Sequence, residues 1–181
     1  MLRLFVGLSL PAEIRLRLMG VMGGVSGARW QTEDQLHLTL RFIGEVSEDR
    51  AEDIDSALDR LHFEPFDLTL RGLGTFGNDR KTRALWAGVS PEGPVADLAQ
   101  KVEQAVVRTG LPPETRRYSP HITLARFRNG KVRLDRVMAA GGDLMSTPWT
   151  VDRFHLYRSH LAHTGAAYEI LASYPDGPDG D

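Results

Sequence analysis

Two histidines of this chain stand in nearly matched surroundings, His37-Leu38-Thr39-Leu40-Arg41-Phe42 and His121-Ile122-Thr123-Leu124-Ala125-Arg126. Free imidazole titrates near 6.5, so at neutral pH one ring can accept a proton while the other donates one. A hydroxyl two residues away adds a donor for a phosphate oxygen. Two imidazoles and two hydroxyls around one cleft could split or hydrolyse a phosphodiester without a metal. Each copy alternates polar and apolar residues, which predicts a strand. Leu38, Leu40, Ile122 and Leu124 then face a core, while each His shares the other face with its Thr.

A lone histidine on a strand is usually structural; the matched contexts point to chemistry instead. The threonines suit strands in any case, and their repetition beside His favours a functional reading. Strict alternation sends Arg126 away from the face of His121, and Phe42 away from that of His37. Each reaches a shared cleft only if its strand twists, bulges or ends. Arg41 shares the His37 face of an ideal strand, where a solvated edge charge is the competing reading. His62 is expected on the surface. His155, His160 and His163 cluster near the C-terminus, and His155 shares a strand face with Tyr157, which leaves a substrate contact open. Trp30, Trp86 and Trp149 read as core residues. No H-E-x-x-H pattern or G-x-S-x-G elbow occurs, so zinc and serine-hydrolase readings have little to rest on.

The elements that must position these residues follow in order. Leu2 to Leu8 is an apolar run, and Pro11 opens a helix expected through about Met22. A short strand around Trp30 leads into the first motif strand, Leu36 to Ile43. Ser47 caps a second helix with the stripe Ala51, Ile54, Leu58 and Leu61. Phe66 to Arg71 alternates as a strand, while Gly72, Gly74 and Gly77 predict a loop with a polar tip from Asn78 to Arg83. A buried strand follows from Ala84 to Val89. Pro94 starts a third helix whose face is Val95, Leu98, Val102 and Val106. After the second motif strand come a short helix from Leu134 to Ala140, a long strand from Trp149 to Tyr157 and a last strand from Ala167 to Leu171. The tail from Pro175 to Asp181 is expected to be disordered.

An offset of 84 residues places His37 on His121 and Thr39 on Thr123. It also places the Phe66 strand on the Thr150 strand, the Trp86 strand on the Ile170 strand and the Leu2 strand on the Trp86 strand. The reading is a duplicated unit: α+β, two antiparallel sheets related by an approximate two-fold around a central cleft, helices outside.

The 181 residues carry 22 Lys and Arg against 24 Asp and Glu, a net charge of −2, and no cysteine. That balance lacks the positive field of proteins that grip long nucleic acid. Disulfides and thiolate metal sites are excluded, and a cytoplasmic location is expected. No apolar run of about 18 residues suggests a membrane span. The basic residues cluster locally, at Arg80, Lys81 and Arg83, at Arg116 and Arg117, and at Arg126, Arg128, Lys131 and Arg133.

The motifs and their flanks resemble the 2H phosphoesterase superfamily and, within it, the RNA 2′,3′-cyclic phosphodiesterases, also called LigT-like 2′-5′ RNA ligases. The likeness rests on Arg3-Leu4-Phe5-Val6-Gly7 with Pro11, on Trp30 ahead of Leu36 to Leu40, and on Phe42-Ile43-Gly44. It continues through Leu73 to Phe76, Leu85 to Val89, Ser119 to Arg126, Leu156 to Ser159, and Gly165 with Tyr168. It covers residues 1–174 and implies one bilobal 2H phosphoesterase domain. The resemblance implies metal-independent opening of an RNA terminal 2′,3′-cyclic phosphate to a 2′-phosphomonoester, with weak reverse 2′-5′ ligation and no cofactor. By the same resemblance His37 is the acid, His121 the base, Thr39, Thr123 and Arg126 hold phosphate, and Phe42 stacks on the terminal base. The expected partner is an RNA 3′-terminal cyclic phosphate or a small nucleotide, with no membrane, and the chain is expected to act as a monomer. The alternatives are another 2H activity, on 2′-5′ oligonucleotides or ADP-ribose cyclic phosphate, and a non-catalytic RNA-end binding module.

Overall fold

Alternation along the motif strands sets the layers of the fold, because each strand has one face for a core and one for solvent. The computed structural model describes residues 1–78, 80–128 and 132–176. In chain order its strands are β1 (Leu2–Leu8), β2 (Ala28–Trp30), β3 (Leu38–Val46), β4 (Phe66–Asn78), β5 (Lys81–Ser90), β6 (Ile122–Phe127), β7 (Trp149–Val151), β8 (Phe154–Ala162) and β9 (Gly165–Tyr174). The helices are α1 (Ala12–Met19), α2 (Glu48–Asp59), α3 (Glu92–Arg108) and α4 (Asp135–Gly141), and Glu33–Gln35 forms a 3₁₀ turn. The strands make two sheets, ordered β3-β1-β8-β9 and β2-β6-β5-β4-β7. Every neighbouring pair is antiparallel, so the chain has the α+β architecture of two antiparallel sheets.

The helices form where capping and periodicity require. Ser47 Oγ accepts from the backbone N–H of Arg50 at 3.2 Å, and Glu48 and Asp49 occupy the first turn of α2, which favours the positive end of the helix dipole. In α3 the expected face Val95, Leu98, Val102 and Val106 is buried, joined by Ala99 and Ala105. This helix starts at Glu92 with Pro91 before it, slightly earlier than Pro94 suggests. The first helix ends at Met19 rather than Met22.

Two expectations are corrected. The glycine-rich segment after Arg71 is strand, since β4 continues to Asn78. Gly72 has φ +70° and lies where the pairing with β5 skips from Leu70 to Leu73, so it makes a bulge rather than a loop. Gly74 lies under the indole of Trp86, whose ring carbon would be 2.2 Å from a Cβ there; only glycine fits. The single strand expected from Trp149 to Tyr157 is two strands. Asp152 and Arg153 carry the chain from β7, at the margin of one sheet, to β8, inside the other.

The duplication takes a different register from the one read along the chain. β5 lies beside β6 as β1 lies beside β3, and β4 occupies the place of β8. Phe66 therefore corresponds in position to the Phe154 strand, not the Thr150 strand. The motif strands keep the offset of 84, whereas their neighbours correspond at 79, Gly7 to Trp86 and Phe5 to Ala84. Pattern alone cannot distinguish these matches, because the alternating strands resemble one another and β1 and β5 are largely buried runs. Of the expected disordered tail, residues 177–181 lie outside the described residues, as do Asp79 and Lys131 of the loop readings.

Candidate active site

The two His-x-Thr strands each contain a bulge at the same place. On β3 the pairing with β1 passes from Arg41↔Val6 to Thr39↔Gly7 and skips Leu40. On β6 the pairing with β5 passes from Ala125↔Leu85 to Thr123↔Trp86 and skips Leu124. An extra residue reverses the alternation beyond it. Leu124 and Ala125 are consequently both buried, and Arg126 is exposed on the face of His121 and Thr123. Phe42 is turned in the same way: it is 58% exposed, and its ring lies 6.0 Å from Phe5, which itself lies 4.8 Å from His37. Arg41 is turned off that face. Its guanidinium bonds Glu103 of α3 and the carbonyl oxygens of Phe42 and Pro112, so it ties β3 to its surroundings.

His37 precedes β3 and is half-buried. Its Nδ1–H donates to the Gln35 carbonyl at 2.7 Å, which leaves Nε2 to accept from the Thr39 hydroxyl at 2.8 Å. That carbonyl is itself fixed. The Gln35 side chain accepts from the Thr32 N–H at 2.9 Å and donates to the Ala166 carbonyl of β9 at 2.7 Å. Phe5 lies against the imidazole, and Tyr168 meets it edge-on at 5.2 Å. Burial lowers the His37 pKa to about 4, helped by the charges of Arg126 and His121 and opposed by the Gln35 carbonyl. A side chain at position 7 would crowd this packing, since a Cβ there would lie 2.9 Å from the Leu38 carbonyl oxygen.

His121 is held more simply. Its Nδ1–H donates to the Ser119 carbonyl at 2.8 Å, and Phe76 meets the ring edge-on at 4.7 Å with Trp86 at 6.2 Å. Its Nε2 makes no hydrogen bond with a described residue. Burial lowers its pKa as well, with Arg126 adding to the effect and the Ser119 carbonyl opposing it. The charge of Arg126 thus acts on both imidazoles and also on the Tyr168 hydroxyl. Two uncharged imidazoles, each with Nδ1 anchored on backbone, two hydroxyls and a free guanidinium therefore share one face of the molecule. Such a set can hold an anion and move protons at its oxygens.

Several neighbours carry no signal in the sequence read alone. Phe5, Tyr157 and Tyr168 form a ring floor, with Phe5 and Tyr157 stacked at 4.7 Å. The apolar run Leu4 to Leu8 of β1 hides which of its residues face the histidines. Tyr118 donates from its hydroxyl to the Thr39 carbonyl at 3.0 Å. Trp86, expected as core, is only half-buried and walls the His121 side. His155 is 8% exposed and bonded to Ser9 and Ser173, so it packs into the sheet. His160 pairs with Glu169, and His62 and His163 are exposed. Among the described residues no three His, Asp or Glu side chains gather as a metal site, and no helix is long and apolar enough to cross a membrane.

Known proteins resemble this chain in sequence and fold. The family model of the 2′-5′ RNA ligase superfamily matches residues 15–162. The RNA 2′,3′-cyclic phosphodiesterase of Aeropyrum pernix is 34% identical over 142 residues, which cover 77% of this chain and 81% of that protein. That of Geobacillus stearothermophilus is 30% identical over 97% of this chain, which spans 58% of the relative's length. The crystal structure of E. coli LigT in apo form matches with a TM-score of 0.78 at 28% identity, over 96% of both chains. That of TT0787 of Thermus thermophilus matches with a TM-score of 0.78 at 31% identity, over 94% of this chain and 96% of the other. The twin His-x-Thr strands and these matches together place the chain in the 2′-5′ RNA ligase superfamily of 2H phosphoesterases.

Proposed function

We propose that this protein hydrolyses the 2′,3′-cyclic phosphate at the end of an RNA to a 2′-phosphomonoester, by acid and base catalysis from His37 and His121. The observation that carries the reading is the pair of matched bulges, which brings Arg126 and Phe42 to the histidine face. The names of the relatives, RNA 2′,3′-cyclic phosphodiesterases, support the substrate.

The step balances as a hydrolysis. His121 Nε2 takes a proton from water, whose oxygen forms a bond to phosphorus as the bond to the 3′-oxygen breaks. His37 Nε2 gives a proton to that 3′-oxygen. Thr39, Thr123 and Arg126 hold the non-bridging oxygens, where charge concentrates in the transition state. The unengaged Nε2 of His121 is suited to holding a water. For His37 to act as acid, Thr39 turns from Nε2 to the phosphate, and the anion draws a proton to the ring. Phe42 offers an exposed ring to the terminal base, and the reverse 2′-5′ ligation uses the same groups in the opposite sense.

One observation favours the opposite assignment. Burial lowers His37 to about 4, so in the free protein a shared proton rests on the less buried His121. A reaction run from that state has His37 as base and yields a 3′-phosphate. The test is a short RNA ending in a 2′,3′-cyclic phosphate, incubated with the protein in EDTA, with the product identified. A 2′-phosphate is expected, with His37→Ala and His121→Ala each reducing turnover on the order of 10²- to 10⁴-fold. A 3′-phosphate reverses the roles, and near-normal turnover in either variant removes the two-histidine mechanism.

A further inference from the structure

Arg126 has a second arginine directly opposite it. In the pairing of β2 with β6, Arg29 faces Arg126 across the ladder, between Ala28↔Phe127 and Trp30↔Ala125. Residues directly opposite in an antiparallel pair point to the same side, with Cβ atoms about 5 Å apart, and like charges there are destabilising. Both side chains are exposed. Neither forms an ion pair or hydrogen bond with a described residue. The nearest acid in sequence, Glu33, is engaged by Arg15 at 3.4 Å. The ladder thus sets two exposed arginines directly opposite each other beside the histidine face, and no carboxylate of the described residues pairs with either.

An anion relieves that repulsion, and the charge count says which one. The cyclic diester carries a single negative charge, already matched by Arg126 and by the proton that the histidine pair shares. Arg29, opposite Arg126 on the marginal strand of its sheet, is then a surplus cation. We infer that Arg29 binds the phosphodiester on the 5′ side of the terminal nucleotide, so that Arg29 and Arg126 together grip two successive phosphates of an RNA end. This rests on the cyclic phosphodiesterase reading and adds a preference within it: an oligonucleotide end over a lone cyclic nucleotide. The planar fork of each arginine suits bidentate contact with phosphate oxygens.

The test compares a nucleoside 2′,3′-cyclic phosphate, with one phosphate, against a dinucleotide ending in the same group, with two. In wild type the ratio of kcat/KM favours the dinucleotide, and Arg29→Gln lowers that ratio by roughly tenfold, as expected for one charged contact. The salt slope of dinucleotide binding falls by about 0.7, the share of one single-strand phosphate contact. A purely structural role predicts a lower Tm and equal losses on both substrates. The clamp predicts a Tm unchanged or raised, because the substitution removes a like-charge pair. An unchanged ratio, or equal losses, overturns the proposal. If wild type hydrolyses neither substrate, the phosphodiesterase reading has failed, and binding decides the clamp separately. Wild type should then bind adenosine 3′,5′-bisphosphate more tightly than 3′-AMP and Arg29→Gln should not; equal discrimination by the two proteins would refute the clamp.

Discussion

His37 and His121 are both uncharged at neutral pH in the free protein, since burial and Arg126 hold them below the ordinary 6.5. Acid and base catalysis by the two rings needs one proton between them. The pH profile of kcat/KM reports the free protein, so its maximum should lie below pH 6.5. A bound phosphate anion raises both imidazoles, and the complex therefore holds more protons than the free protein. By linkage, affinity for 3′-AMP rises as pH falls below neutrality, and the contribution of the imidazoles levels off once they are themselves protonated in the free protein. Calorimetry in buffers of different ionisation enthalpy should show proton uptake on binding; none, or release, would contradict this protonation scheme. Arg126→Gln should weaken binding and move the kcat/KM maximum upward, because it removes a cation that lowers both rings. A fall in rate with no movement of the profile would mean that Arg126 holds phosphate without tuning the histidines.

At the scale of elements, the histidine face depends on where strands depart from regularity. The pattern His-Leu-Thr-Leu shows which residues share a face up to the bulge, and the composition of α2 and α3 shows their buried stripes. The bulges at Leu40 and Leu124 are not legible in the sequence, because they arise from pairing with β1 and β5, which the local sequence does not contain. Regular alternation therefore puts Arg41 in the cleft and Arg126 outside it, the reverse of their places. The glycines of β4 read as loop because the indole that demands Gly74 comes from the next strand. The 3₁₀ turn gives a further case. Gln35 joins it to β9, and its carbonyl sets the tautomer of His37. Gln35→Ala should lower kcat several-fold with little change in KM, and ¹⁵N spectra should show His37 shifting from the Nδ1–H form toward a mixture. Loss of stability with the His37 tautomer unchanged would assign Gln35 to folding alone. Gln35→Glu, which keeps the acceptor for Thr32 but loses the donor to Ala166, should fall between the two.

Across the whole molecule, the cation beside the two histidines contrasts with the slight negative charge of the chain. With a net charge of −2, long-range attraction for RNA is weak. The charged contacts we propose are those of Arg126 and Arg29, opposite each other on neighbouring strands. Recognition should accordingly saturate after two phosphates. Extending an RNA that ends in a cyclic phosphate from two nucleotides to ten should change kcat/KM by less than about threefold. The slope of log affinity against log salt should stay near about −1.4 at both lengths, as two single-strand phosphate contacts require. Affinity that climbs steadily with length, with a slope that steepens alongside it, would place further cations in contact with the strand. Arg116 and Arg117, exposed just ahead of the second motif strand, would be the first to substitute in that case. A flat response would instead mark the protein as a reader of RNA ends, indifferent to the chain behind them.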